Sequence, residues 1–131
     1  MYWLSWIVIA IIVGGLLVAY KTEMYVTQIL MIQNLLVFIL VYIPGFMYPG
    51  ITSTVYSDLA GRAIYITSLD LFFNKFYTFI SLMFLHGGIF HIGMNIVILF
   101  LIGIPLEDRI GKEYFIMVYF LGGIIATFGQ Y

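Results

Sequence analysis

Long apolar runs separated by short polar interruptions dominate this chain. The run 2–20 contains no charged residue and is stopped at Lys21, and the run 26–43 ends at the helix-breaking residues Pro44 and Gly45. A helix that crosses the hydrocarbon core of a bilayer needs about 20 mostly apolar residues. Each run is therefore predicted to form a membrane-spanning helix.

Two further spans are predicted in the second half of the chain. An apolar stretch that is too long for one simple span is interrupted there by a pair of glycines at 87–88. We expect a short helix at the membrane interface over 76–85 and a third span over 88–104. The charged segment 107–113 is predicted to be a short turn outside the bilayer, and a fourth span is predicted over 114–128.

The long connection 45–75 combines aromatic and aliphatic side chains with a few charges. This composition suits a loop that lies at the membrane interface, because amphipathic aromatic residues settle there. The short loops 21–25 and 107–113 both carry basic residues. The positive-inside tendency therefore places these two loops in the cytoplasm and the 45–75 connection outside.

Composition supports this membrane interpretation. Of the 131 residues, 64% are hydrophobic and 8% are charged, whereas soluble domains carry roughly a quarter charged residues. The predicted fold class is therefore all-α, a polytopic transmembrane helix bundle integral to the cell membrane with the lipid bilayer as its main partner. The net charge of −1 offers no basic surface for nucleic acid. The absence of cysteine excludes disulfides and thiolate metal sites.

Polar residues inside the predicted spans are the candidates for function, because such groups are costly in a membrane. His86, His91 and Asn95 lie at the start of the third span. His91 and Asn95 are four residues apart and therefore share one helix face, whereas His86 and His91 are five apart and are predicted to face different directions. Gln33 and Asn34 in the second span are expected to make interhelical hydrogen bonds rather than to take part in catalysis.

Three interpretations of the histidine–asparagine group are open from the pattern alone. The residues can hold helices together by hydrogen bonds, bind a metal or haem, or bind an oxyanion during catalysis. The metal interpretation is the weakest, because no cysteine or carboxylate accompanies the histidines in the span.

The sequence around this group resembles that of the rhomboid family of intramembrane serine proteases. The family pattern runs F-L-H-G-G, a second histidine, an asparagine four residues later, L-E-x-R-x-G and Y-x-x-G-G. These pieces are present in the same order at 84–88, His91, Asn95, 106–111 and 119–123.

The resemblance covers about residues 30–131 and implies a partial rhomboid-like fold. Residues 1–25 would be an extra N-terminal transmembrane helix with its short loop. Residues 26–131 would be the N-terminal half of the membrane domain, with the first three core helices. The resemblance further implies a single-span membrane protein as substrate, and no metal or organic cofactor, because the family uses side chains and water alone.

Roles for individual residues also follow from the resemblance. Asn95 and His91 would be oxyanion-hole donors, and His86 would support them from a position just before the helix. A structural motif in the loop between the second and third core helices would be formed by Glu107, Arg109 and Gly111.

The sequence departs from the family pattern in one essential respect. Rhomboid proteases carry a serine nucleophile in a G-x-S-G motif on the fourth core helix and a histidine base on the sixth, and no G-x-S-G occurs in these 131 residues. Ser81 lacks that context and is expected to be an ordinary polar group near the interface. The chain is therefore expected to be the N-terminal portion of a rhomboid-type intramembrane serine endopeptidase, inactive without the nucleophile and base. The alternatives are a catalytically inactive rhomboid-like protein that binds transmembrane segments, and a helical membrane subunit in which the motif is structural.

Overall fold

The computed structural model of the protein describes residues 2–60 and 77–129, with side chains up to residue 127. Every regular element in those ranges is helical. Three of the helices are long and apolar enough, by length and composition, to cross a membrane. The prediction of an all-α membrane protein is confirmed.

The helices follow the predicted spans and the interfacial segments between them. They are α1 (Trp3–Lys21), α2 (Val26–Met47), α3 (Pro49–Leu59), α4 (Tyr77–Ser81), α5 (Ile89–Ile110) and α6 (Lys112–Gly129). A 3-10 helix at Leu82–Phe84 follows α4 directly, and α5 contains a π-helical turn at Leu99–Gly103. The helices of spanning length and hydropathy are α1, α2 and α5.

Helix α2 continues past the helix stop that the sequence predicts at Pro44. A proline inside a helix removes one backbone hydrogen bond, because it has no N–H group. Its carbonyl group still accepts, and the Tyr48 N–H donates to it at 2.8 Å, so the helix closes one more turn. Helix α3 then begins at Pro49, where a missing N–H costs nothing. The predicted connection 45–75 therefore contains a helix, and its part from residue 61 to 75 lies outside the described residues.

The charged segment 107–113 is not the turn that its composition predicts. Helix α5 continues to Ile110, and the residue between α5 and α6 is Gly111, whose φ of 84° lies in the left-handed region that favours glycine. Charged residues end the apolar span without ending the helix, because backbone hydrogen bonds continue beyond the hydrocarbon core. The reversal that joins α5 to α6 is consequently tighter than predicted.

Hydrogen bonds connect both ends of helix α1 to other helices of the bundle. At its start, Ser5 Oγ donates a hydrogen bond to the Asp58 carboxylate in α3 at 2.8 Å. At its end, Lys112 Nζ donates to the carbonyl oxygens of Ala19 and Thr22 at 2.8 and 2.6 Å. The lysine satisfies carbonyl groups that have no partner inside the helix, and its charge complements the negative end of the helix dipole.

A buried amide joins α1 and α2 near the middle of the bundle. Gln33 Nε2 donates to the carbonyl oxygens of Ile11 and Ile12 at 2.8 and 2.7 Å. Gly15 makes room for this side chain, since a Cβ atom at Gly15 would lie 2.2 Å from Gln33 Nε2. The predicted interhelical hydrogen bond of Gln33 is confirmed.

Candidate functional site

The candidate site lies where the chain enters helix α5. After the 3-10 helix the backbone becomes extended at Leu85, and α5 begins at Ile89. Because His86 precedes the helix, α-helical spacing does not govern its direction relative to His91. The two imidazole rings lie 5.0 Å apart in an edge-to-face arrangement. The prediction that His86 and His91 face different directions is therefore wrong.

His86 is held in one tautomer by its neighbours. It is 5% exposed, with Nδ1 3.2 Å from the Phe84 carbonyl oxygen and Nε2 2.8 Å from Asn95 Nδ2. A carbonyl oxygen can only accept, so the proton is on Nδ1, and Nε2 accepts from the Asn95 amide. His86 thus orients Asn95, and the amide retains a second N–H that this hydrogen bond does not use.

A cavity of about 590 Å³ lies beside these residues, bounded by α2, the segment before α5, α5 itself and α6. His91 is exposed and Asn95 is half-buried, and both line the cavity. In an otherwise apolar bundle the cavity collects the following polar side chains: Asn34, His86, His91, Asn95, Tyr119 and Thr127. The hydrogen-bond donors of the histidine–asparagine group therefore border a cavity that can hold another chemical group.

Glu107 connects the end of α5 to the start of α2. Its Oε1 accepts from the Val26 N–H at 2.7 Å, and its Oε2 accepts from the Thr27 N–H at 2.8 Å and from Thr27 Oγ1 at 2.7 Å. The carboxylate is 5% exposed. It caps the first turn of α2, where backbone N–H groups have no partner inside the helix and the dipole favours negative charge. Gly111 reverses the chain four residues later, and Arg109 is exposed at the same end.

Ser81 is occupied by backbone carbonyl groups. Its hydroxyl donates to the Leu59 carbonyl oxygen and lies 3.2 Å from that of Tyr77. The residue is 4% exposed and is absent from the cavity lining. These contacts agree with its interpretation as a structural polar group. Among residues 2–60 and 77–129, no group of three or more His, Cys, Asp or Glu side chains could hold a metal ion.

Acidification is expected to weaken the site through His86. Burial lowers its pKa below the ordinary value of 6.5, and the nearby His91 acts in the same direction, while the hydrogen bond to the Phe84 carbonyl opposes them. The unfolded chain binds the proton more tightly, so the free energy of unfolding falls as the pH drops below about 6.5. Protonation of Nε2 also removes the acceptor for Asn95.

The measurement is the midpoint of thermal unfolding in detergent at about pH 7.5 and at about pH 5. We expect a clear decrease at the lower pH for the wild-type chain and a smaller decrease for His86→Gln, which can still accept from Asn95 but does not titrate. The two chains differ only at position 86, so the difference between their decreases reports on His86. Equal decreases in the two chains would show that His86 is not responsible.

Sequence analysis assigned no site residue to the side of the cavity formed by α2 and α6. Asn34 on α2 and Thr127 on α6 line the same space as His91 and Asn95, although they are distant from them in the chain. The signal was present as single polar residues within apolar runs. Assigning them to one site required knowing which helix faces meet.

The fold and the site together define an all-α membrane protein with an open cavity between its helices that polar side chains line in part. Residues 74–131 match the family model of the rhomboid domain, which confirms the resemblance seen in the sequence. The second half of the chain is therefore similar to a rhomboid domain. The matched region contains α4, α5 and α6 with the histidine–asparagine group and Glu107. No curated protein and no solved structure matches the chain.

Proposed function

We propose that this chain provides the oxyanion-binding half of a rhomboid-type intramembrane serine endopeptidase that cleaves single-span membrane proteins. The observation that carries the proposal is the hydrogen bond from Asn95 to His86, which leaves one amide N–H of Asn95 free beside His91 in the cavity. In peptide-bond hydrolysis the carbonyl oxygen becomes negative when the nucleophile attacks. Donors that are already oriented stabilise this charge without reorganising.

Each residue of the group has a distinct part in this proposal. Asn95 donates its second N–H to the developing oxyanion, and His91 donates from its exposed ring on the same helix face. His86 touches no reacting atom and is a positioning residue. Its buried ring fixes the Asn95 amide through Nε2 and is itself fixed by the Phe84 carbonyl.

The proposal requires a nucleophile and a base from outside this sequence. Nucleophilic catalysis by serine needs a hydroxyl activated by an adjacent base. The 131 residues contain no G-x-S-G, and the Ser81 hydroxyl is bonded to backbone carbonyl groups. We therefore propose that the catalytic serine and histidine belong to a longer protease and that the cavity beside His91 and Asn95 is where the serine approaches.

The test begins with the coding sequence beyond the codon for Tyr131. We expect the reading frame to continue into a G-x-S-G segment and a later helix that carries a histidine. The full-length protein, reconstituted in liposomes, should then cleave a single-span membrane substrate. A stop codon directly after Tyr131 would overturn the protease proposal and favour a rhomboid-like protein that binds transmembrane segments without cutting them.

Variants of the full-length protein test the assigned roles. Removing one oxyanion-hole donor costs about 10²- to 10³-fold in turnover, and we expect losses of that size for both Asn95→Ala and His91→Ala. Met94→Ala is the matched control, because Met94 is 59% exposed and does not line the cavity. Its kcat/KM should change little. Unchanged cleavage by Asn95→Ala and His91→Ala would refute the oxyanion-binding roles.

A further inference from the structure

A groove of about 330 Å³ separates α1 and α2 on one face of the bundle. Helix α1 lines it with Ala10, Gly14 and Val18, which are spaced four residues apart and therefore share one helix face. Helix α2 lines it with Ile32 and Leu36. Both helices precede the region that matches the rhomboid domain, so the groove lies outside the matched part of the chain.

Small residues in this bundle mark places where a neighbouring element comes close. A Cβ atom at Gly15 would lie 2.2 Å from Gln33 Nε2, and one at Gly123 would lie 2.2 Å from Met83 Cε. At Gly14, in contrast, a Cβ atom would meet nothing within 4 Å. In membranes, pairs of small residues four apart allow two helix backbones to approach each other closely. The exposed face of α1 therefore offers such a pair, at positions 10 and 14, with open space beside it.

The groove also contains a buried amide oxygen that has no partner. Gln33 is the one polar residue among those that line the groove, and it is 2% exposed. Its Nε2 donates to the carbonyl oxygens of Ile11 and Ile12, which fixes the orientation of the amide, because a carbonyl oxygen can only accept. Its Oε1 receives no hydrogen bond from the described part of the chain. An unsatisfied acceptor is costly inside a membrane, so this oxygen calls for a donor.

The need for a donor decides which occupant fits the groove. A lipid acyl chain has no hydrogen bond to donate, and every other residue that lines the groove is apolar, which disfavours water. A second copy of the chain that entered through α1 would offer no donor either, since positions 7–19 carry no side-chain N–H or O–H group. These are the positions at the depth of Gln33, which is bonded to Ile11 and Ile12.

We propose that the groove between α1 and α2 binds one transmembrane helix of another membrane protein. The partner helix packs a face of small residues against Ala10 and Gly14 and donates a hydrogen bond from a serine or threonine hydroxyl to Gln33 Oε1. Gln33 is seven residues from Val26, so the hydroxyl lies roughly 10 Å from the start of α2. The inference depends on the groove alone and stands whether or not the chain takes part in proteolysis.

Energy transfer in liposomes measures the binding of such a helix. The chain has no cysteine, so Glu23→Cys, at an exposed position between α1 and α2, gives a single site for a donor dye. The probe is a synthetic leucine-based peptide of about 20 residues that carries an acceptor dye, two alanines four residues apart, and one threonine a turn away from them. A second peptide has valine in place of threonine, which keeps the shape and removes the hydroxyl.

We expect the threonine peptide to bind the 131-residue chain about threefold to tenfold more tightly than the valine peptide, because one hydrogen bond between helices in a membrane has a modest effect. Gln33→Leu should abolish this preference, so that both peptides bind equally. Since Gln33→Leu also removes two hydrogen bonds to α1, the comparison of the two peptides on the unaltered chain is the main test of the acceptor.

The small-residue face is tested by filling the groove. Gly14→Leu places a side chain in open space, so the chain should fold as before, and we expect it to bind the threonine peptide at least about tenfold more weakly. Val13→Leu is the matched control, because Val13 is 51% exposed and does not line the groove. Its affinity for the peptide should be unchanged.

Three outcomes would overturn the inference. Equal affinities for the threonine and valine peptides would show that Gln33 Oε1 accepts no hydrogen bond from a partner. Equal affinities of the unaltered and Gly14→Leu chains would show that the helix does not enter the groove. Energy transfer between donor-labelled and acceptor-labelled copies of the chain that Gly14→Leu abolishes would show that a second copy occupies the groove instead.

Discussion

Replacing Glu107 with alanine is expected to disrupt the junction between α5 and α2 and to destabilise the whole bundle. The change removes the acceptor for two backbone N–H groups and one hydroxyl at the start of α2. These donors are buried beside Val26 and Thr27, both 0% exposed, so water cannot replace the carboxylate without opening the junction. Each unsatisfied buried donor costs about 1–3 kcal/mol, and we expect a total loss of about 3 kcal/mol or more in the free energy of unfolding.

Denaturant unfolding in detergent micelles measures this effect. Glu107→Gln should lose less than Glu107→Ala, because one carbonyl oxygen remains to accept. Asp108→Ala is the matched control, since Asp108 is the exposed neighbour and accepts a hydrogen bond from the Tyr25 hydroxyl at 2.6 Å. Solvent competes for that bond, so its loss should matter much less. Equal destabilisation by Glu107→Ala and Asp108→Ala would contradict the assigned role of Glu107.

Two adjacent glycines of α1 are expected to respond in opposite ways to alanine. A Cβ atom at Gly15 would lie 2.2 Å from Gln33 Nε2. The amide would have to leave its place, and its two hydrogen bonds to α1 would be lost. Overpacking of this kind costs about 1–3 kcal/mol. A Cβ atom at Gly14 meets nothing within 4 Å, so Gly14→Ala should be neutral or slightly stabilising, because alanine favours helix more than glycine does.

A double-mutant cycle separates this clash from a general effect on α1. Gln33→Ala removes the side chain that Gly15→Ala would strike, so Gly15→Ala should be far less harmful in that background. The free energies of unfolding of the four chains give the coupling energy directly. Additive effects of Gly15→Ala and Gln33→Ala would show that the two residues do not meet.

The hydrophobic pattern predicted three spans well, those of α1, α2 and α5, and their ends poorly. Helix α6, where the fourth span was predicted, is not among the described helices of spanning length and hydropathy. The first span was predicted at 2–20, and the helix lies at Trp3–Lys21. A single apolar segment of this length can satisfy its backbone hydrogen bonds inside a bilayer only by forming a helix. Composition marks where the hydrocarbon begins, whereas a helix ends where its backbone hydrogen bonds end. Helix α2 therefore passes Pro44, and α5 extends through Glu107 to Ile110.

The candidate site was identified in the sequence because a histidine and an asparagine at helical spacing must share a face. The direction of His86 was predicted wrongly for a physical reason. The extended backbone at Leu85 turns the His86 ring back towards Asn95, and this conformation cannot be derived from spacing rules for a helix. The role of Glu107 as a cap for α2 was equally out of reach, because Val26 and Thr27 are about 80 residues away in the chain.

The amino-acid sequence is sufficient to show that this protein is a helical membrane protein, roughly where three of its helices cross the bilayer, and that its motifs resemble those of the rhomboid family. These properties depend on composition and on local periodicity, which can be read along the chain. The folded arrangement is needed to see that His86 orients Asn95, that Glu107 caps α2, and that Asn34 faces the cavity while Gln33 faces α1. Such contacts join residues from different helices, and the packing of the helices, not the spacing of the residues, brings them together.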